Sequence, residues 1–85
     1  WGMINAVVPD DQLQQAAEQM ALRLAAGPTQ AFATVKELLA SSPLVSLETQ
    51  LAFEADGIAA NASRADGQEG IAAFLGKRRP AFCGR

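Results

Sequence analysis

The stretch DDQLQQAAEQMALRLAAGPTQAFATVKELL, residues 10–39, decides the fold class. Leu13, Ala16, Ala17, Met20 and Leu24 recur at spacings of three and four, which puts them on one face of an α-helix over residues 11–26, with Asp10 as its N-cap. Gly27-Pro28 ends that helix. Pro28 suits the first turn of a second helix, over 29–41, striped by Ala31, Val35 and Leu38 with Phe32 and Leu39 beside them. Two amphipathic helices joined at a two-residue corner predict an all-α architecture.

Working outward, Ser41-Ser42-Pro43 breaks the pattern, and Ser46 caps a third helix of about 47–62 with the apolar row Leu47, Leu51, Ala55, Ile58 and Ala62. Gly57 weakens its middle by ~1 kcal/mol relative to Ala, so it marks either a close neighbour or a kink. After the polar stretch 63–67 a fourth helix, about 66–77, carries Ile71, Phe74 and Leu75 and ends in Lys77-Arg78-Arg79 before Pro80. Asp66 and Glu69 in its first turn and the three cations in its last both suit the macrodipole. Upstream, Met3–Val8 is apolar and partly β-branched and is closed by Pro9, which predicts one short strand. Alone in a helical chain that strand lacks a partner. Together with a start at Trp1, it reads as a piece of something longer.

Composition bounds the function. The 85 residues make one small domain or part of one; 49% are hydrophobic, enough to collapse. A chain of this size buries only roughly 60–65% of its unfolded surface, so it is expected to lean on a partner and, isolated, to self-associate. Seven Lys and Arg against nine Asp and Glu give a net charge of −2, which argues against nucleic acid and anionic membranes as partners. No apolar run approaches the ~18 residues of a membrane span. Without histidine the usual proton shuttle and zinc ligand are missing, and the lone Cys83 makes neither an internal disulfide nor a thiolate cage. No metal site is expected, and a reducing, cytoplasmic setting fits.

Chemistry has few carriers. Cys83 has no base to activate it and reads as incidental. Glu48, Glu54 and Asp56 fan around a helix rather than converge, the pattern of a solvated face. The corner Gly27-Pro28-Thr29 offers backbone N–H groups to an anion, but such corners mostly face water. Lys77-Arg78-Arg79 is the one local excess of positive charge, and a phosphate group is its natural partner, with dipole compensation as the plainer account. Phe74 lies three residues before Lys77, on nearly the same helical face. Ring and ammonium together suit a nucleotide, although a core Phe is the commoner reading of such a ring.

Four blocks carry a family likeness: Trp1-Gly2-Met3-Ile4-Asn5 followed by Val7-Val8-Pro9; Leu24-Ala25-Ala26-Gly27-Pro28-Thr29; Val35-Lys36-Glu37-Leu38-Leu39; and the run from Glu69 through Phe74, Lys77 and Arg79 to Phe82. In this order and spacing they resemble the crotonase superfamily, the enoyl-CoA hydratases and isomerases, over essentially the whole chain. Leu47-Glu48-Thr49-Gln50-Leu51 and the closing Pro80–Arg85 are similar to the 1,2-epoxyphenylacetyl-CoA isomerase branch. The resemblance implies that residues 1–9 are the last strand of a ββα-spiral core missing here, and that 10–85 are a C-terminal α-helical region for assembly and pocket cover. It implies an acyl-CoA thioester as substrate, a stabilised enolate, no prosthetic group, and a homo-oligomer, a trimer or dimer of trimers. The oxyanion-hole amides and the acid and base have no matching positions, so no catalytic residue is expected here. Phe74 and Lys77 match the family's contacts to the adenosine end of coenzyme A bound to a neighbouring subunit. Gly57, Arg64 and Gly76 depart from the pattern, leaving the straightness of the third helix and the start of the fourth open. The rival reading is a free-standing α-helical interaction module without catalysis.

Overall fold

The computed structural model describes residues 2–85, and four α-helices account for most of them. They are α1 (Leu13–Ala25), entered through a 3-10 turn at Asp10–Gln12; α2 (Thr29–Ser41), followed by a 3-10 turn at Ser42–Leu44; α3 (Leu47–Ser63); and α4 (Ala65–Leu75). Periodicity and the Gly and Pro breakers placed each within two residues of its observed ends. None of the helices is long and apolar enough to cross a membrane.

The predicted strand is absent. Among the described residues there is no β-strand, and 2–9 run as irregular chain with Met3 84% and Val7 83% exposed. A β-branched run becomes a strand only when a neighbour completes its hydrogen-bond ladder, and none is present. The all-α class therefore stands without its expected strand. With the strand goes the structural basis for reading 1–9 as the end of a spiral and the chain as that spiral's C-terminal segment. The Trp1 part of that reading lies outside the described residues.

A side-chain cap explains the start of α3 but not of the other helices. Ser46, extended at φ −70° and ψ 160°, accepts the Thr49 N–H at 3.2 Å, as its position before Leu47 predicts. Asp10 does not cap α1; it opens the 3-10 turn, with the Gln12 N–H donating to the Pro9 carbonyl at 2.9 Å. At α4 neither Ser63 nor Arg64 caps through its side chain, since the Ser63 hydroxyl turns back to the Ala60 carbonyl at 2.8 Å.

Packing follows chain order: α2 lies on α3 and α3 on α4, whereas α1 packs closely only on its own entry turn. The α2–α3 seam is small and polar. A Cβ at Gly57 would stand 2.9 Å from the Thr34 methyl, and Asn61 Nδ2 donates to Thr34 Oγ1 at 2.9 Å and to the Gly57 carbonyl at 2.8 Å. Gly57 thus permits close approach, and α3 runs unbroken through it. A Cβ at Gly67 would fall on the Asn61 carbonyl and the Ala62 backbone, so only glycine allows α4 to fold back this tightly on the end of α3.

The large apolar side chains look outward. Among the described residues only Ala73 and Asp66 are buried. The chain is a slab of 45 × 38 × 19 Å with a radius of gyration of 16.1 Å, against about 12 Å for a compact chain of this length. Its accessible surface is 7080 Å², about 2,300 Å² more than a globular monomer of this mass exposes.

Candidate functional site

Helix α4 and the segment after it carry the candidate residues. The helix ends at Leu75, two residues earlier than its charge pattern predicts, through a left-handed closure. Lys77 has φ +48°; its N–H donates to the Phe74 carbonyl at 3.2 Å, and the Arg78 N–H reaches the Ala73 carbonyl at 3.0 Å. This is a Schellman ending with lysine where glycine is usual. Gly76, one residue earlier, has an ordinary φ of −79°.

Two expectations change as a result. Lys77, Arg78 and Arg79 lie beyond the last helical turn, so the shared helical face argued for Phe74 and Lys77 does not exist in that form; a hydrogen bond across the helix end joins their backbones instead. Nor are the three cations equivalent. Arg78 donates to Glu69 as a fork, Nη1 to Oε1 at 2.6 Å and Nη2 to Oε2 at 2.8 Å, the one ion pair among the described residues. The Arg78 guanidinium beside Glu69 and the N–H of Ala81, 2.8 Å from Oε1, hold the Glu69 carboxyl down at a pKa of about 2. Lys77 is left exposed, beside a Phe74 that is 83% exposed and hence no core residue in this chain.

The other end of α4 was not legible as a site. Asp66, read from sequence as a dipole partner, is 4% exposed and accepts the Cys83 N–H at 2.7 Å and the Gly84 N–H at 2.8 Å. The Asp66 N–H donates to the Arg85 carbonyl at 2.7 Å. The Cys83 N–H is the main reason that the Asp66 carboxyl titrates below its ordinary range. The chain from Ala81 onward therefore runs back along α4 and closes over the start of α2, where Gln30 Nε2 donates to the Gly84 carbonyl at 3.4 Å. Gly84 comes up against Thr29 Oγ1, so this chain's own closing segment lies beside the residues that follow the Gly27-Pro28 corner. An acidic residue in a first turn signals only a favourable charge; nothing local says that its acceptors will serve residues 83 and 84.

Glu48 sits in the first turn of α3, its carboxyl lowered by a backbone N–H and by Ser46, and Glu54 accepts from Gln50 Nε2 at 3.2 Å. Among the described residues no three of His, Cys, Asp and Glu gather as a metal site would require, and Cys83 is a free, exposed thiol. An open apolar groove of about 810 Å³ runs between α1 and α2, lined by Leu24, Ala25, Thr29, Phe32, Ala33, Val35 and Lys36.

The sequence profile of the enoyl-CoA hydratase/isomerase family matches residues 1–85. The chain is 41% identical over 85 residues to 1,2-epoxyphenylacetyl-CoA isomerase of Escherichia coli (strain K12), covering 100% of this chain and 32% of that protein. It is 37% identical over 84 residues to 2,3-dehydroadipyl-CoA hydratase of the same organism, covering 99% and 33%. The crystal structure of an enoyl-CoA hydratase from Polaromonas sp. JS666 superposes with a TM-score of 0.89 at 39% identity, covering 96% of this chain and 32% of that one. The chain thus spans about a third of the length of the relatives it matches.

Proposed function

The chain belongs to the enoyl-CoA hydratase/isomerase family, and from that premise we propose that it is the helical third of an enzyme that acts on acyl-CoA thioesters through a stabilised enolate. Its own part is to cover the pocket, to join subunits of a homo-oligomer and to meet the adenosine end of coenzyme A. The thioester is substrate rather than resident cofactor. The identity to the Escherichia coli isomerase supports the ring-rearranging branch as the first substrate class to assay.

One observation supports a covering and assembly role: about 2,300 Å² of surface in excess of a globular monomer, with large apolar side chains among it, is left for the rest of the enzyme and its neighbouring subunits to cover. Helices that meet through Gly57, Thr34 and Asn61 keep Leu47 at 68%, Ile58 at 71% and Leu39 at 69% exposed for something else to cover.

For coenzyme A, the support is that Phe74 and Lys77 stand together on exposed chain while Arg78 is consumed by Glu69. An exposed ring has a flat face to lend to a purine, and an ammonium without an ion pair among the described residues has charge to lend to a phosphate. Such contacts exist equally in ground and transition states, so they act on affinity and leave the chemical step alone.

The test uses the whole oligomeric enzyme. Lys77→Ala should raise KM for the CoA ester by up to about tenfold with kcat nearly unchanged, and leave KM for a truncated pantetheine thioester as it was. Equal KM ratios for long and short thioesters would remove Lys77 from the coenzyme site.

A further inference from the structure

We propose that Glu69 is a positioning residue for Lys77: by holding Arg78 and the Ala81 N–H on one carboxylate, it fixes the loop 76–81 in the conformation that presents the Lys77 ammonium. This rests on the reading of Lys77 given above and extends it to a residue that touches no ligand.

Geometry carries the inference. Lys77 occupies a left-handed backbone position, φ +48°, that non-glycine residues avoid, so the loop has a standing tendency to relax elsewhere. Two hydrogen bonds to helix carbonyls set the near side of the turn. The far side is set by Glu69 alone among the described acids, through both arms of Arg78 and through the backbone of Ala81. One carboxylate thus ties down the residue after Lys77 and the fourth residue after it. The same fork removes Arg78 as a competing phosphate ligand, so that the charge offered at this edge comes from Lys77 and Arg79. Half of the Arg78 side chain and a quarter of that of Glu69 remain accessible, which lets either one take up a solvent counter-ion if the other is lost.

The full oligomeric enzyme, its fold checked by circular dichroism and sedimentation, separates the alternatives through a double-mutant cycle on KM. Glu69→Gln should raise KM for the CoA ester about threefold with kcat and the pantetheine-thioester KM unchanged, and this rise should largely vanish in the Lys77→Ala background. Should Glu69→Gln not assemble, Arg78→Gln leaves the Ala81 hydrogen bond in place and should give a smaller rise of the same selectivity. If Lys77→Ala raises KM and neither partner variant does, or if their effects persist undiminished without Lys77, the positioning role is overturned while the coenzyme contact stands. A lowered KM in Glu69→Gln would also overturn it, since freeing the loop and Arg78 would then help binding rather than weaken it. If Lys77→Ala itself leaves KM unmoved, the coenzyme reading fails and this inference with it.

Discussion

At the start of α4, Asp66 is 4% exposed, every oxygen of its carboxylate accepts a backbone N–H, and Gly67 lies against the backbone of Asn61 and Ala62. At its end, three turns on, Phe74 is 83% and Leu75 75% exposed, and Lys77 sits in a backbone region that suits glycine. One helix thus has a satisfied end, where a buried carboxylate finds both its partners inside the chain, and an unsatisfied one, whose large side chains face outward. The contrast separates residues that hold the segment together from residues offered to something outside it. Conformational cost tolerated at Lys77 is what a presented group would show, and it has no counterpart around Asp66.

The strongest way to break this contrast is at the satisfied end. Gly67→Ala pushes a methyl into the Asn61 carbonyl and should lower stability by about 3 kcal/mol or more, read as a fall in Tm. If Tm holds, the corner between α3 and α4 is looser than its geometry implies. Acid should loosen the same region next. Asp66 and Glu69 both titrate below their ordinary range in the folded chain, Glu69 at about 2, so their contribution is complete above the unfolded carboxylate pKa of about 4 and is lost as pH falls toward 2. Protection against hydrogen exchange at Ala81, Cys83 and Gly84, taken relative to the intrinsic rate at each pH, should fall across that window, and Asp66→Asn should flatten the change at residues 83 and 84 but not at Ala81.

At the unsatisfied end the effects should be smaller and one should have the opposite sign. Lys77→Gly removes the left-handed penalty and should stabilise by about 0.5–1 kcal/mol in urea unfolding while raising KM for the CoA ester as Lys77→Ala does. A loss of stability would show that Lys77 is structural. Smallest is Phe74→Ala, expected within about 0.5 kcal/mol of wild type in unfolding because so little of the ring is covered by this chain, with its consequence confined to coenzyme affinity.

The helices were legible because their signals are local: an apolar period, a Ser at the right offset, Gly and Pro at the joints. Residues 2–9 misled because β-branching reports a preference for a strand but not the neighbour that would complete one. The end of α4 misled for a related reason. A run of cations suits a last helical turn, yet the turn closes at Lys77 through hydrogen bonds to Ala73 and Phe74, and Arg78 is drawn back to Glu69, nine residues earlier. Of the candidate site, Phe74 and Lys77 were singled out from residue type, spacing and resemblance, whereas the pairings of Glu69 and Asp66 were not, since their partners lie 9 to 18 residues downstream.

That distance also orders events in time. The donors for the Asp66 carboxylate come 17 and 18 residues after it, and the acceptor for its N–H is the Arg85 carbonyl. A ribosome lays down α4 before any of them exists. Its first turn therefore begins life uncapped and is completed only when the segment around Cys83 and Gly84 has emerged and folded back. The α2–α3 pairing needs nothing downstream of α3 and can form early, whereas the start of α4 and the Phe82 contact over Gly70 wait for the closing segment.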